Sequence, residues 1–160
     1  MHSFSVTSSQ RTEFIDITRQ IEDIVHGSGI EEGLCHIFVP HTTAGITVNE
    51  NADPSVRKDI METLEKLVPW HGKYSHAEGN AAAHIKASLA GCSQTIPVAR
   101  GTLNMGIWQG IYFCEFDGPR DRQVLVQVIN TQSSPLHHDE SRPGEPKNYN
   151  QLEEEERDTA

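Results

Sequence analysis

Residues 76 to 84 read HAEGNAAAH. Two imidazoles, His76 and His84, stand eight apart around a carboxylate, Glu78, a glycine and an amide, Asn80. A third candidate imidazole, His41, follows the apolar run GLCHIFVP. Neutral imidazole is a good ligand for borderline cations, and a catalytic zinc site takes about three protein donors plus an open position. If the two loops converge, His41, His76 and His84 make such a site. The competing reading gives His84 a satisfied hydrogen bond on a helix and leaves His41 as a strand-end residue. Glu78-Gly79-Asn80 precedes a helix start, whose unpaired N–H groups and dipole attract phosphate. Lys86 and Arg120 could add positive charge there. Plain capping by Asn80 explains the same residues equally well.

Glu115 lies inside the apolar strand IYFCEF, where a carboxylate is costly unless it is paired or catalytic. Arg120, Arg122 or a cleft could each receive it. Trp108 and Gln109 open the same strand, offering a flat ring and an amide to a heterocyclic ligand. Asn49 and Glu50 end the strand GITV.

These residues sit at the ends of elements, so the elements must place them. SFSVTS and FIDI read as strands. Thr18 is an expected cap for a short helix carrying Ile17, Ile21, Ile24 and Val25, ended by Gly27 and Gly29. GLCHIFVP suits a buried strand and GITVN follows as another. Asp53 and Pro54 start the clearest helix, whose apolar face is Val56, Ile60, Leu64 and Leu67 before Pro69. A second helix spans about 81 to 89 and ends at Gly91. SQTIPVA, GTLNMG, GIYFCEF and RQVLVQVI are further strands, with DGPR as a turn. The pattern is α+β: one compact domain, a mixed or mostly antiparallel sheet, and helices packed on one face.

The chain has 160 residues and a net charge of −10, which disfavours nucleic acid as a partner. From Thr131 onward there are eight acidic and three basic residues, so half of the excess lies there. The expected organisation is a folded domain over 1–131 and a flexible acidic tail over 132–160. His137 and His138 in that tail read as a solvated pair. No apolar stretch is long enough for a signal peptide or membrane span. Cys35, Cys92 and Cys114 show no CxxC spacing. Buried free thiols in a reducing, cytoplasmic compartment are expected.

Three stretches together, HTTAGITVNENADPSVRKD, YSHAEGNAAAHIKASLAG and GIWQGIYFCEFDGPRDRQVLVQVI, resemble the YjbQ family, also called UPF0047. Some of its members are described as secondary thiamine-phosphate synthases. The resemblance covers about residues 5 to 130. It implies a compact α+β homotrimer with a polar cleft that can hold a divalent metal ion, zinc or magnesium. It carries His41, His76 and His84 over as metal ligands, and Glu78, Glu115 and Arg120 as catalytic groups. Asn49, Glu50, Asn80, Lys86, Trp108 and Gln109 would bind a small phosphorylated or heterocyclic ligand. The implied reaction joins an aminopyrimidine diphosphate to a thiazole phosphate and releases pyrophosphate. Glu78 or Glu115 would handle a proton on the thiazole side. The family's helix start reads GN-x-D-A-H, whereas Ala82 stands here in place of the aspartate. That loss points to weakened activity and keeps two alternatives open: a metal- or small-ligand-binding trimer without turnover, and a metal-dependent hydrolase of a small metabolite.

Overall fold

The computed structural model describes residues 1–132. The proposed tail, including His137 and His138, lies outside the described residues from position 133 on. Eight strands and three helices follow in the order β1 His2–Thr7, β2 Glu13–Asp16, α1 Thr18–Ser28, β3 Glu32–Phe38, β4 Ala44–Glu50, α2 Pro54–Leu67, α3 Ala81–Ala90, β5 Ser93–Ala99, β6 Thr102–Leu103, β7 Gln109–Glu115 and β8 Asp121–Asn130. The class is α+β, and every strand pair is antiparallel. The strands divide between two sheets, β1-β8-β3-β5-β6 and β2-β7-β4.

The two-residue periodicity of the strands dictates the layering. In β3, Cys35 and Ile37 point inward while Leu34 and Phe38 are exposed. Between the sheets, Cys35, Ile37, Ile96, Val124 and Val126 meet Ile46, Ile111 and Phe113. β7 is buried on both faces. Its other face carries Tyr112 and Cys114, with Phe116 just beyond, against Ala83 and Ala87 of α3 and Ile60, Met61 and Leu64 of α2. The order of layers is therefore sheet, core, sheet, core, helices.

Helix α1 departs from the one-face expectation. Its apolar residues Ile21 and Val25, with Ile17 before them, enter the core between the sheets. Thr18 does not cap it. The N-cap position is Ile17, and the Thr18 hydroxyl donates to Asp16 at 2.6 Å and accepts from the Ile111 amide at 2.9 Å. Gly29, in the left-handed region at φ 66°, ends the helix, while Gly27 lies within it. Asp53 caps α2 as expected, accepting from the Ser55 amide at 2.8 Å. The face of α2 is only half-buried and Leu67 is exposed, because this outer helix packs on one side alone. GTLNMG forms only the two residues of β6. Among the described residues no helix is long and apolar enough to cross a membrane.

Candidate functional site

One end of the β4–β7 pair gathers most of the chemistry. Ala44 and Glu115 are register partners there. Glu115 is fully buried and its oxygens are all engaged. Oε1 accepts from Arg122 Nη2 at 2.7 Å and from the amides of Phe116 and Asp117. Oε2 accepts from Arg122 Nε at 2.8 Å and from the Ser8 hydroxyl at 3.2 Å. Of the three open destinations, Glu115 has taken Arg122, and it holds a loop rather than facing a cleft. Arg122 Nη2 also donates to Thr43 Oγ1 at 2.8 Å, tying β8 to the segment after His41.

The loop so anchored presents Asp117 and Arg120. Arg120 closes over Asp117 through Nε to the carbonyl at 2.7 Å and Nη2 to Oδ2 at 2.8 Å. The same Asp117 Oδ2 accepts from Asn80 Nδ2 at 3.1 Å. Asn80 occupies the N-cap position of α3 but makes no capping bond with its side chain. The amide is drawn to the carboxylate instead, which leaves the first turn of α3 without a side-chain acceptor. Asn80 Oδ1 is buried and has no hydrogen-bond partner among the described residues. Such an orphaned acceptor costs about 1–3 kcal/mol until a donor meets it.

The imidazoles lie beside this cluster. His76 and His84 pack edge to face with ring centres 5.2 Å apart, and His76 Nε2 stands 3.6 Å from Glu78 Oε2. His84 shares a cleft of ≈ 460 Å³ with His41, Thr42, Ala87, Ser88 and Cys92. His41 Nε2 accepts from the Gln123 amide at 2.9 Å, so the neutral ring carries its proton on Nδ1. Burial, and then the positive charge of Arg122, hold this imidazole below its ordinary value, which keeps it neutral near pH 7. With its lone pair already occupied, His41 is placed to donate a hydrogen bond, not to ligate. Among the described residues no group of three or more histidine, cysteine, aspartate or glutamate side chains closes on one point. His41, His76 and His84 thus do not form one three-histidine group among the described residues.

Other anticipated residues fall elsewhere. Lys86 is buried between helices and pairs with Glu65 of α2, on a different side of α3 from the His84 cleft. Asn49 turns its side chain to the Glu50 amide and lines a small apolar cavity with Ile60 and Leu64. Glu50 and Gln109 are register partners at the far end of β4 and β7. Six residues of strand separate that end from Ala44 and Glu115, roughly 20 Å. Gln109 there lines a second, larger cleft of ≈ 640 Å³ with Asp16, Arg19, Asn51 and Met105. Trp108 beside it is 61% exposed. Burial alone would raise the Asp16 carboxyl, yet bonds from the Thr18 hydroxyl and amide and from Asn51 outweigh it and hold it below its ordinary value. Asp16 and Cys92 were not anticipated as cleft residues; Cys92 is exposed, against the expectation of a buried thiol, whereas Cys35 and Cys114 are buried. For Asp16 the D-x-T spacing ahead of a helix was the available signal.

Among known proteins, residues 2–131 match the model of the family described as UPF0047 protein YjbQ-like. A UPF0047 protein of Methanocaldococcus jannaschii is 49% identical over 129 residues, covering 81% of this chain and 94% of that protein. UPF0047 protein YugU of Bacillus subtilis is 48% identical, covering 81% and 98%. The crystal structure of a YjbQ/UPF0047-family protein from Clostridium acetobutylicum is similar at a TM-score of 0.79 and 53% identity, over 81% of this chain and all of that one. A structure from Aeropyrum pernix is similar at 0.78 and 38%, over 81% and 97%.

Proposed function

The chain belongs to the YjbQ-like UPF0047 family, and from that premise we propose that it acts on a small phosphorylated heterocycle. The reaction is a group transfer of the thiamine-phosphate synthase type, joining an aminopyrimidine diphosphate to a thiazole phosphate. One observation carries this reading: the orphaned Asn80 Oδ1 lies at the uncapped start of α3, beside the half-exposed Arg120. The acceptor suits an exocyclic amine. The guanidinium and the first-turn amides suit a diphosphate.

In this reading the thiazole nitrogen attacks the methylene carbon of the pyrimidine, and the carbon–oxygen bond to the diphosphate breaks. Pyrophosphate leaves as its charge is met by Arg120 and the helix start. The neutral His41, with its proton on Nδ1, offers a further donor in the cleft. No protein base is needed at the attacking nitrogen, which agrees with Glu115 being fully committed to Arg122.

A second reading, a small-ligand-binding protein without turnover, is favoured by Ala82. That residue is fully buried in the first turn of α3, where the family's pattern has a carboxylate. A homotrimer fits both readings. Leu34, Phe38 and Ile129 are exposed on the outer face of the larger sheet, where Leu34 is the register partner of Ile129 and Phe38 of Leu125. A face of this kind is a natural surface for self-association. Light scattering that returned only the 17.8 kDa chain would refute it.

The test of function is pyrophosphate and thiamine-phosphate formation from the two substrates by the full chain, with Arg120→Ala as control and Ala82→Asp as the restored pattern. Product above the Arg120→Ala level, raised further by Ala82→Asp, is expected. Tight binding of the pyrimidine diphosphate without product from either chain would leave the binding reading in its place.

A further inference from the structure

Arg120 is set in place by a residue that the transfer reaction does not use. Ser8 lies just past β1, where the β1–β8 ladder ends at the Thr7–Asp121 pair. It is 3% exposed, so its hydroxyl has almost no access to water and is satisfied inside the protein. Its backbone amide donates to the Arg120 carbonyl at 3.0 Å, and its Oγ accepts from the Arg120 amide at 2.9 Å. Oγ also stands 3.2 Å from both the Arg120 carbonyl and Glu115 Oε2. A hydroxyl has one proton to give. The carbonyl is already served by the Ser8 amide and the carboxylate is the stronger acceptor, so the proton goes to Glu115. Ser8 thus couples the buried Glu115–Arg122 pair to both backbone groups of Arg120.

The rest of the connection between β1 and β2 closes on the same turn. The Gly118 amide donates to the Arg11 carbonyl at 3.0 Å, and a Cβ on Gly118 would stand 2.2 Å from the Gln10 carbonyl and 2.7 Å from Ser8 Oγ. The turn 117–120 therefore lies directly against residues 8–11. From a backbone so held, the Arg120 side chain reaches Asp117 through Nε to the carbonyl and Nη2 to the carboxylate that also holds Asn80.

We propose that Ser8 is a positioning residue, whose hydroxyl aims the Arg120 guanidinium at the anionic part of the ligand. This role rests on the transfer reading, in which Arg120 meets the diphosphate. Without the hydroxyl the Arg120 amide loses its acceptor and Glu115 Oε2 loses a donor. The turn is then free to shift, and the guanidinium meets a phosphate in many orientations instead of one. The loss falls on anion binding and on the surroundings of the Arg120 side chain, not on stability alone.

The experiment compares the full chain as wild type, Ser8→Ala and Ser8→Thr, each also combined with Arg120→Ala, well below their melting temperatures. The first readout needs no ligand: the Arg120 Nε–H signal in nitrogen–proton NMR, assigned by its loss in Arg120→Ala. It should be sharp in wild type, shift or broaden in Ser8→Ala, and return in Ser8→Thr, which keeps the hydroxyl. The second readout is the affinity for inorganic pyrophosphate by calorimetry. Ser8→Ala should weaken it about threefold to tenfold, as for one lost hydrogen bond, and should have no further effect once Arg120 is alanine. A Ser8→Ala chain that is less stable yet keeps both the signal and the affinity would overturn the proposal, since Ser8 would then serve packing alone. So would an equal loss of affinity in the two backgrounds. Wild type that binds no pyrophosphate would instead refute the transfer reading, and the Arg120 signal alone would then decide whether Ser8 sets the arginine.

Discussion

Glu115→Gln is the sharpest test of how the site is supported. The wild-type carboxylate accepts five hydrogen bonds: two from Arg122 and one each from Ser8, Phe116 and Asp117. Glutamine keeps the shape but turns an NH₂ toward one of these donors. It also leaves the buried Arg122 guanidinium without a counter-charge. Breaking one partner of a buried ion pair costs about 3–5 kcal/mol. For a domain of this size each kcal/mol lowers the midpoint by roughly 2–4 °C, so a drop of about 10–15 °C is expected. Urea unfolding followed by tryptophan fluorescence measures the free energy directly. A double variant, Glu115→Gln with Arg122→Met, removes the stranded charge. It should recover part of the loss but not all, because the Asp117 amide keeps a poorer partner. A single-variant loss under about 1 kcal/mol would refute the reasoning, since it would mean that water already reaches the pair.

The Glu65–Lys86 pair is asymmetric, with Lys86 buried and Glu65 half-exposed. Glu65→Ala should therefore destabilise more than Lys86→Met, and equal losses in urea would contradict the burial of the ammonium. Burial works to raise the Glu65 carboxyl, but the Lys86 and Trp70 hydrogen bonds outweigh it and hold it below its ordinary value. Its contribution is thus present above the unfolded carboxylate value, near pH 4.3, and is lost as pH falls through the lower folded value. Melting curves of wild type and Glu65→Gln should differ most above about pH 5 and converge in acid. Gly45→Ala should cost about 1–3 kcal/mol, because its added Cβ would stand 2.6 Å from the Gly91 carbonyl and 2.9 Å from the Ala90 side chain. Unchanged stability in a urea titration would show that the α3 terminus gives way freely. Arg120→Ala should cost about 1–3 kcal/mol, since the half-exposed guanidinium bonds a mostly buried Asp117 carboxylate, and should weaken pyrophosphate binding at least tenfold by calorimetry.

Much of the fold was legible because periodicity reports burial. The alternation of SFSVTS, the apolar run GLCHIFVP and the Asp53-Pro54 start each gave the element that formed. Periodicity does not report which strands share a sheet, so the division into two sheets was hidden, as was the entry of α1 between them. At the site, type and spacing pointed to His76, His84, Asn80 and Arg120; Asn80 and Arg120 meet at Asp117, and the two imidazoles pack on each other. The partner of Glu115 could not be decided from spacing, because Arg120 and Arg122 lie five and seven residues on, and the nearer one is not the partner. Lys86 looked available for phosphate because its neighbour in the fold, Glu65, lies 21 residues away. Trp108 and Gln109 were grouped with Asn80 on one ligand because sequence order says nothing about which end of a strand a loop meets.

β7 has a mechanical consequence of its own. Ile111 and Phe113 lock into one core while Tyr112 and Cys114 lock into the other, so a single ribbon is gripped from both sides. Neither layer can loosen without exposing half of that ribbon. The helices and the sandwich are expected to melt as one cooperative body, and among the described residues the amides at the middle of β7 should be the last to exchange with deuterium. The loop that follows β7, bearing Asp117 and Arg120, thus springs from a strand held on both faces.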